Sequence, residues 1–346
     1  MLRSRARYAA VVATLALLAS APPRALRAAG STCEFTGVDR VVAIGDVHGA
    51  YDRFVEILRT ASLVDDRLRW VGERTHLVLL GDIVDRGPDS LKALDLIDRL
   101  SKDAGKTGGA VHMLLGNHEV MRMLGDLRYT TPGEYAAFAS ADSVRVRGDY
   151  LERAKASSKE PVPEPPLGFV EMRVAFGQNG KYGKWLRTLP AVIRIDGVVF
   201  LHGGISPAVA PMSCDVINET IRKQLTTELN ETRRDPLAQL GTRVDGPLWY
   251  RGLAEESDDF APSVDDILAK QHARAIVIGH TVTRDSRVRP RFGGKVIQID
   301  TGMQPAYVPT GRASALEIAR GTFTAIYTDR RDVLPAPAAD LAPAAR

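Results

Sequence analysis

Four of the seven histidines in this 346-residue chain, His48, His118, His202 and His280, follow apolar runs at glycine-flanked junctions. Oxygen donors stand at comparable places: Asp46 two residues before His48, Asp82 in the second junction, and Asn117 directly before His118. One such histidine is readily structural, but four with these companions are hard to explain by packing. Imidazole mixed with carboxylate and amide oxygens suits divalent Mn, Fe or Zn better than a thiolate or all-oxygen site would. The central junction, Gly81-Asp82-Ile83-Val84-Asp85-Arg86-Gly87, sets two carboxylates and a guanidinium in one short turn. Asp82 is the candidate to bridge two ions, which at about 3.5–4 Å apart acidify a shared water and clamp both oxygens of an in-line displacement. The glycines allow the backbone to approach closely.

The elements that must position these groups are legible as apolar periodicity. Asp39 to Ile44, His76 to Leu80 and Val111 to Leu115 read as buried strands, each ending in one of the first three junctions. Helical spacing separates them, at Phe54, Ile57, Leu58 and Ala61 and again from Leu91 to Leu100. This β-α-β-α-β order predicts parallel strands with right-handed crossovers, so that the three junctions share one rim, where open α/β sheets build their sites. Arg67 to Val71 reads as a short extra strand. Residues 120–190 read as a helical insertion over that rim, a lid or a substrate wall, interrupted by the Pro161–Pro166 break. Strand character returns at Ala191 to Ile195 and Val198 to Leu201, a hairpin through Asp196-Gly197. It continues at Ala275 to Ile278, Val296 to Ile299, Ala313 to Ile318 and Thr322 to Tyr327, with a helix over Cys214 to Leu229 between. The Ala/Pro-rich tail from 332 to 346 reads as disordered.

Apolar content of 45% and charged content of 25% describe an ordinary globular protein. The net charge of +4 comes from the first thirty residues, which hold five Arg and no acid; without them the remainder carries −1. The charge therefore gives no reason to expect a nucleic-acid partner. That segment, 1–30, reads as a signal peptide: an Arg-rich start, an apolar run from Tyr8 to Ala19, then small-residue cleavage sites. No later run is long enough to span a bilayer, so an exported protein, periplasmic or secreted and without stable membrane insertion, is expected. Cys33 and Cys214 could pair as a disulfide in such a compartment or remain two thiols, and both readings stay open. His76, His112 and His272 lack motif company and read as structural.

Taken in order, Gly45-Asp46-x-His48-Gly49, Gly81-Asp82-x-x-Asp85-Arg86-Gly87, Gly116-Asn117-His118-Glu119, His202-Gly203-Gly204 and Gly279-His280 resemble the signature of the calcineurin-like metallophosphoesterases. The Asp85-Arg86-Gly87 extension and Leu201-His202-Gly203-Gly204-Ile205-Ser206-Pro207 resemble the phosphoprotein phosphatase branch, most of all its bacterial Shewanella-type members. The resemblance covers Val38 to Tyr327. It implies an α/β fold, a four-layer αββα sandwich of mixed β-sheets flanked by helices, in a catalytic domain spanning 31–331. It implies two divalent metal ions, one held by Asp46, His48 and Asp82 and the other by Asp82, Asn117, His202 and His280. It makes Arg86 and Arg251 phosphate ligands, His118 the general acid and Asp85 its orienting partner. Gly116 and Glu119 are read as structural. The implied activity is phosphomonoester hydrolysis, with a phosphorylated protein or peptide or a small phosphate ester as partner. A nucleotide or dinucleoside polyphosphate hydrolase on the same site is the alternative, and a non-catalytic phosphate-binding module a third. Asp300-Thr301-Gly302-Met303 stands where the eukaryotic serine/threonine phosphatases carry a tyrosine motif, which leaves the preference among phosphoserine, phosphothreonine and phosphotyrosine open.

Overall fold

The computed structural model describes residues 33–226 and 239–335; the segment 1–30, expected to be a signal peptide, lies outside them. Two six-stranded mixed sheets are flanked by helices. One runs in the order β12-β11-β10-β2-β3-β4, made of Arg331–Val333, Thr322–Tyr327, Ser314–Ala319, Arg40–Ile44, His76–Leu79 and Ala110–Met113. The other runs β1-β5-β6-β7-β9-β8, made of Glu34–Phe35, Val192–Ile195, Val198–Leu201, Ala275–Ile278, Val296–Gln298 and Arg289–Arg291.

The expected parallel unit is present. β2 pairs in parallel with β3, and β3 with β4. In the second sheet β6, β7 and β9 are also mutually parallel. β6, β7 and β9 are buried along their whole length, which is why they read as unbroken apolar runs rather than alternations. Helix α1, Tyr51–Thr60, buries Phe54, Ile57 and Leu58, and α2, Ser90–Gly105, packs on β4. The hairpin between β5 and β6 turns through Asp196 at φ 46° and Gly197 at φ 76°, two left-handed residues whose twist matches the paired strands. The Asp196 carboxylate also accepts the backbone N–H of Gly37 and Val38, at 2.7 and 2.9 Å, and so fastens the entering chain to the hairpin.

Five helices occupy the stretch between β4 and β5: α3 Asn117–Leu124, α4 Pro132–Phe138, α5 Ser143–Ser157, α6 Phe169–Phe176 and α7 Lys181–Leu186. Helix α8, Cys214–Thr226, lies against β5; the rest of the helix expected to reach Leu229 is outside the described residues. Cys33 and Cys214 form a disulfide with Cα atoms 6.2 Å apart, resolving the choice the sequence left open. No helix among the described residues is long and apolar enough to cross a membrane.

Two expectations need correction. Arg67 to Val71 is not a strand; only an isolated bridge joins Val64 to Trp70. The Asp65 carboxylate accepts the N–H groups of Arg67 and Arg69, both at 2.9 Å, and curls the segment locally instead. The tail does not begin at 332, because β12 pairs with β11 and holds Asp332 and Val333 in the sheet. Ion pairs from Arg331 to Glu317 at 3.2 Å and from Arg330 to Asp332 at 2.9 Å accompany that ladder.

Candidate active site

Six strands of the two sheets end at one place. β2, β3 and β4 lead into Asp46, Asp82 and Asn117; β6, β7 and β9 lead into His202, His280 and Asp300. Every one of these side chains is buried. The turns that aim them are tight: His48, Asp82, Asp85, Arg86 and His280 all take positive φ, between 49° and 71°. Such conformations are costly for residues with a Cβ and persist only where the surroundings enforce them. Glu119 supplies part of that enforcement. Its carboxylate accepts the N–H of Asp82 and Ile83, each at 2.8 Å, and of Gly116 at 2.9 Å, tying two of the three junctions together. A Cβ added at Gly116 would sit 2.2 Å from Asp82 Oδ1, so the close approach there requires glycine.

The hydrogen-bond directions separate the buried histidines into two kinds. His202 Nδ1 donates to the Leu80 carbonyl at 2.9 Å, and His48 Nδ1 to the Val84 carbonyl at 2.9 Å. A carbonyl only accepts, so both rings carry their proton on Nδ1 and present an Nε2 lone pair inward. His202 Nε2 then faces Asn117 Oδ1 at 2.9 Å and Asp82 Oδ2 at 3.3 Å, with His280 Nδ1 at 3.1 Å. Acceptors crowded this way fit a cation and not one another; the donor set of imidazole, carboxylate and amide suits a divalent transition ion. On the other flank His48 Nε2 lies 3.6 Å from Asp82 Oδ2 and 3.8 Å from Asp46 Oδ2. There a cationic group already answers it: Arg86 Nη1, at 3.0 Å. Burial foremost pushes His48 down to about 3 and His280 down to about 2, so both rings are neutral, as metal ligands must be.

His118 is different. Its Nδ1 bonds the Asp85 carboxylate at 2.8 Å, leaving Nε2 facing the site, 3.8 Å from Asp82 Oδ2. Burial opposes charge on this ring, but Asp82 and the bond to Asp85 outweigh it and raise its pKa above the ordinary imidazole value.

All the residues named from the sequence therefore meet here. Arg251 lies at the rim, exposed, donating to the His280 carbonyl at 3.0 Å and Thr281 Oγ1 at 2.9 Å. His76 and His112 stay apart, bonded to each other at 3.1 Å. Four participants are not among the site residues named from the sequence. Asp300 is buried beside Asp46; burial and then the Asp300 charge raise the Asp46 carboxyl well above its usual range. Its signal was available, since it too follows an apolar strand. Tyr307 stacks under the Arg86 guanidinium, 3.8 Å from ring centroid to carbon, and fixes its plane. Arg122 and Glu134 form a buried relay: Arg122 is ion-paired to Asp85 and, at 2.9 Å, to Glu134, whose Oε1 also accepts the Asp85 N–H at 3.0 Å. Arg122 is one helical turn beyond His118, but Glu134 comes from α4, so the insertion reaches the acid pair directly. Replacing Arg122 by Met takes from two buried carboxylates the cation they share; it should lower stability by about 3–5 kcal/mol, read from denaturant unfolding, with Arg122→Lys less affected.

A family model for calcineurin-like phosphoesterases matches residues 39–284. The chain is 32% identical over 292 residues to an uncharacterized protein of Schizosaccharomyces pombe, covering 83% of this chain and 79% of that one. It is 28% identical over 316 residues to Shewanella-like protein phosphatase 2 of Arabidopsis thaliana, covering 85% and 78%. The solved structure of a cold-active protein-tyrosine phosphatase from a psychrophilic Shewanella species matches it with a TM-score of 0.69 at 28% identity, over 88% of this chain and 82% of that one. With a metal-type donor set at the shared ends of both sheets, the chain belongs to the calcineurin-like metallophosphoesterases and, among them, to the phosphoprotein phosphatase-like hydrolases.

Proposed function

We propose that the chain is a two-metal phosphomonoester hydrolase acting on phosphorylated proteins or peptides, with His118 as general acid. The observation that carries this is the division among the histidines. His48 and His202 spend Nδ1 on backbone carbonyls and turn Nε2 inward, whereas His118 Nδ1 is bonded to the Asp85 carboxylate and the ring is held toward its protonated form. Asp46, His48 and Asp82 would hold one ion, and Asp82, Asn117, His202 and His280 the other, with Mn, Fe and Zn all compatible. When bound, such ions supply an acidified water and neutralise phosphate charge.

The side chains supply the remainder. Arg86, levelled by Tyr307, and Arg251 across the rim offer planar forks to phosphate oxygens. His118 donates its Nε2 proton to the leaving oxygen, while Asp85 fixes the ring and stabilises its charged form. The insertion forms a wall: the Tyr129 ring lies 5.0 Å from that of His118, and its carbonyl accepts the Arg86 N–H at 3.0 Å. The reading includes export, supported by the Arg-led apolar leader and by the Cys33–Cys214 disulfide, a bond that persists in oxidising compartments.

Asp82→Asn should lose metal, measured as ions per chain by elemental analysis; two tightly held ions in that variant would remove Asp82 as the shared ligand. His118→Asn should keep its metal and lose about 10²–10⁴ in kcat, the usual worth of a general acid. Because the acid works only when protonated, kcat should fall as pH rises through the raised His118 pKa. Asp85→Asn removes a cause of that rise, so its alkaline limb should move to lower pH. The substrate class is tested by profiling phosphoserine, phosphothreonine and phosphotyrosine peptides against nucleotides and dinucleoside polyphosphates on the metal-loaded protein. Turnover of nucleotides alone overturns the protein substrate, and no hydrolysis of an aryl phosphate with Mn²⁺ overturns the enzyme.

A further inference from the structure

A second cavity, of about 690 Å³, opens directly beyond His280. Its near wall is Thr281, whose hydroxyl takes the hydrogen bond from Arg251, so it borders the phosphate rim. Two of its lining residues, Thr283 and Gln298, are only 4% and 3% exposed. Neither Thr283 Oγ1 nor Gln298 Oε1 has a hydrogen-bond partner. Buried polar groups are normally satisfied, and a pair left open in one cavity marks a place that a polar ligand completes.

The charge around that pair has a direction. Arg291 lines the cavity and is held in place by donating to the carbonyls of Leu253, at 2.8 Å, and Glu256. Arg289 sits on β8 directly opposite Gln298, and Arg284 follows Thr283 in sequence. Both are exposed and neither forms an ion pair among the described residues. Carboxylates are present too, at Glu255, Glu256 and Asp258; they are exposed, Glu256 and Asp258 act on the Arg291 charge, and no hydrogen bond or ion pair among the described residues holds any of the three carboxylates in place. Arg291 is held. The fixed charge of the cavity is therefore positive, and its open hydrogen-bonding groups are neutral.

We propose that this cavity is a specificity subsite for an anionic side chain, carboxylate or phosphate, that flanks the phosphorylated residue of a peptide substrate. The inference rests on the protein-phosphatase reading above. A carboxylate or phosphate would take the arginine forks and the Thr283 hydroxyl together, the charge-assisted bonding that such planar donors favour, while Gln298 Oε1, which only accepts, would meet a backbone N–H of the same peptide.

The test uses the metal-loaded enzyme and phosphopeptides carrying Glu, phosphoserine, Ala or Lys at each of the flanking positions, with p-nitrophenyl phosphate as the substrate that lacks a flank. The wild-type kcat/KM should favour Glu or phosphoserine over Lys by about tenfold at one flank at least, the scale of a charge contact at an interface rim. In the double variant Arg284→Glu, Arg289→Glu that preference should vanish or invert, while p-nitrophenyl phosphate turnover and the melting temperature stay unchanged. Comparing Glu with phosphoserine tells which anion the site takes. Equal rates across all flanks, or a preference that survives the double variant, overturn the subsite and leave the phosphatase reading standing. Turnover of p-nitrophenyl phosphate with no phosphopeptide hydrolysed overturns both.

Discussion

Asp82 Oδ2, Asn117 Oδ1 and His202 Nε2 meet in a buried space with too few protons to join them. Collecting acceptors out of water is unfavourable unless a cation or a donor meets them, and most of the architecture can be understood as holding them there nonetheless. Each is pinned from behind. Leu80 fixes the His202 ring, Glu119 holds the Asp82 backbone, and the first turn of α3 donates the His118 N–H to Asp82 Oδ1 at 2.9 Å. Asp82 and Asn117 come from one sheet and His202 and His280 from the other. An ion held by these four would couple to the docking of one sheet on the other, and its affinity would be linked to folding stability.

The same economy explains the proton. A single turn, from Asp82 to Arg86, carries a metal-type ligand, the partner of the acid and a phosphate-type cation within five residues. Their separation is achieved by left-handed residues that throw successive side chains in different directions. Asp85 is then isolated from the metal-type ligands and given to His118, with Arg122 and Glu134 completing a buried network in which each carboxylate has a cation or N–H partner. The proton-holding pair and the metal-type donors thus sit side by side and are coupled through Asp82, whose charge also raises the His118 pKa.

Most of this was readable from sequence because strand-end chemistry is local. An apolar run fixes the strand, a glycine just before or just after the site residue marks where it stops, and the residues at that junction face the rim. Asp46, His48, Asp82, Asn117, His202 and His280 all obey that rule. What escaped was set by tertiary geometry. Arg122 and Glu134 belong to ordinary helical stretches, and only the fold of the insertion turns them toward Asp85. Tyr307 arrives from a loop with no periodicity, and β8, with a proline between two arginines, has too little apolar content to announce a strand. The extra strand expected at Arg67 to Val71 failed for a local reason, since one aspartate offered the backbone better partners than a neighbouring strand did. Asp300 obeyed the strand-end rule and was passed over because it lacked the histidine that marked its neighbours.

The terminal strands have a bearing on the life of the protein in solution. Open sheet edges invite pairing with other chains. Here β1 is two residues long, β8 reads Arg-Pro-Arg, and β12 opens with Arg331 and Asp332. Proline withholds an N–H and the charges resist a second backbone laid alongside. Three of the four margins are thus poor templates for strand addition. The twelve strands of the described residues, in two sheets, are in this way guarded against the edge-to-edge aggregation that their own composition would otherwise encourage.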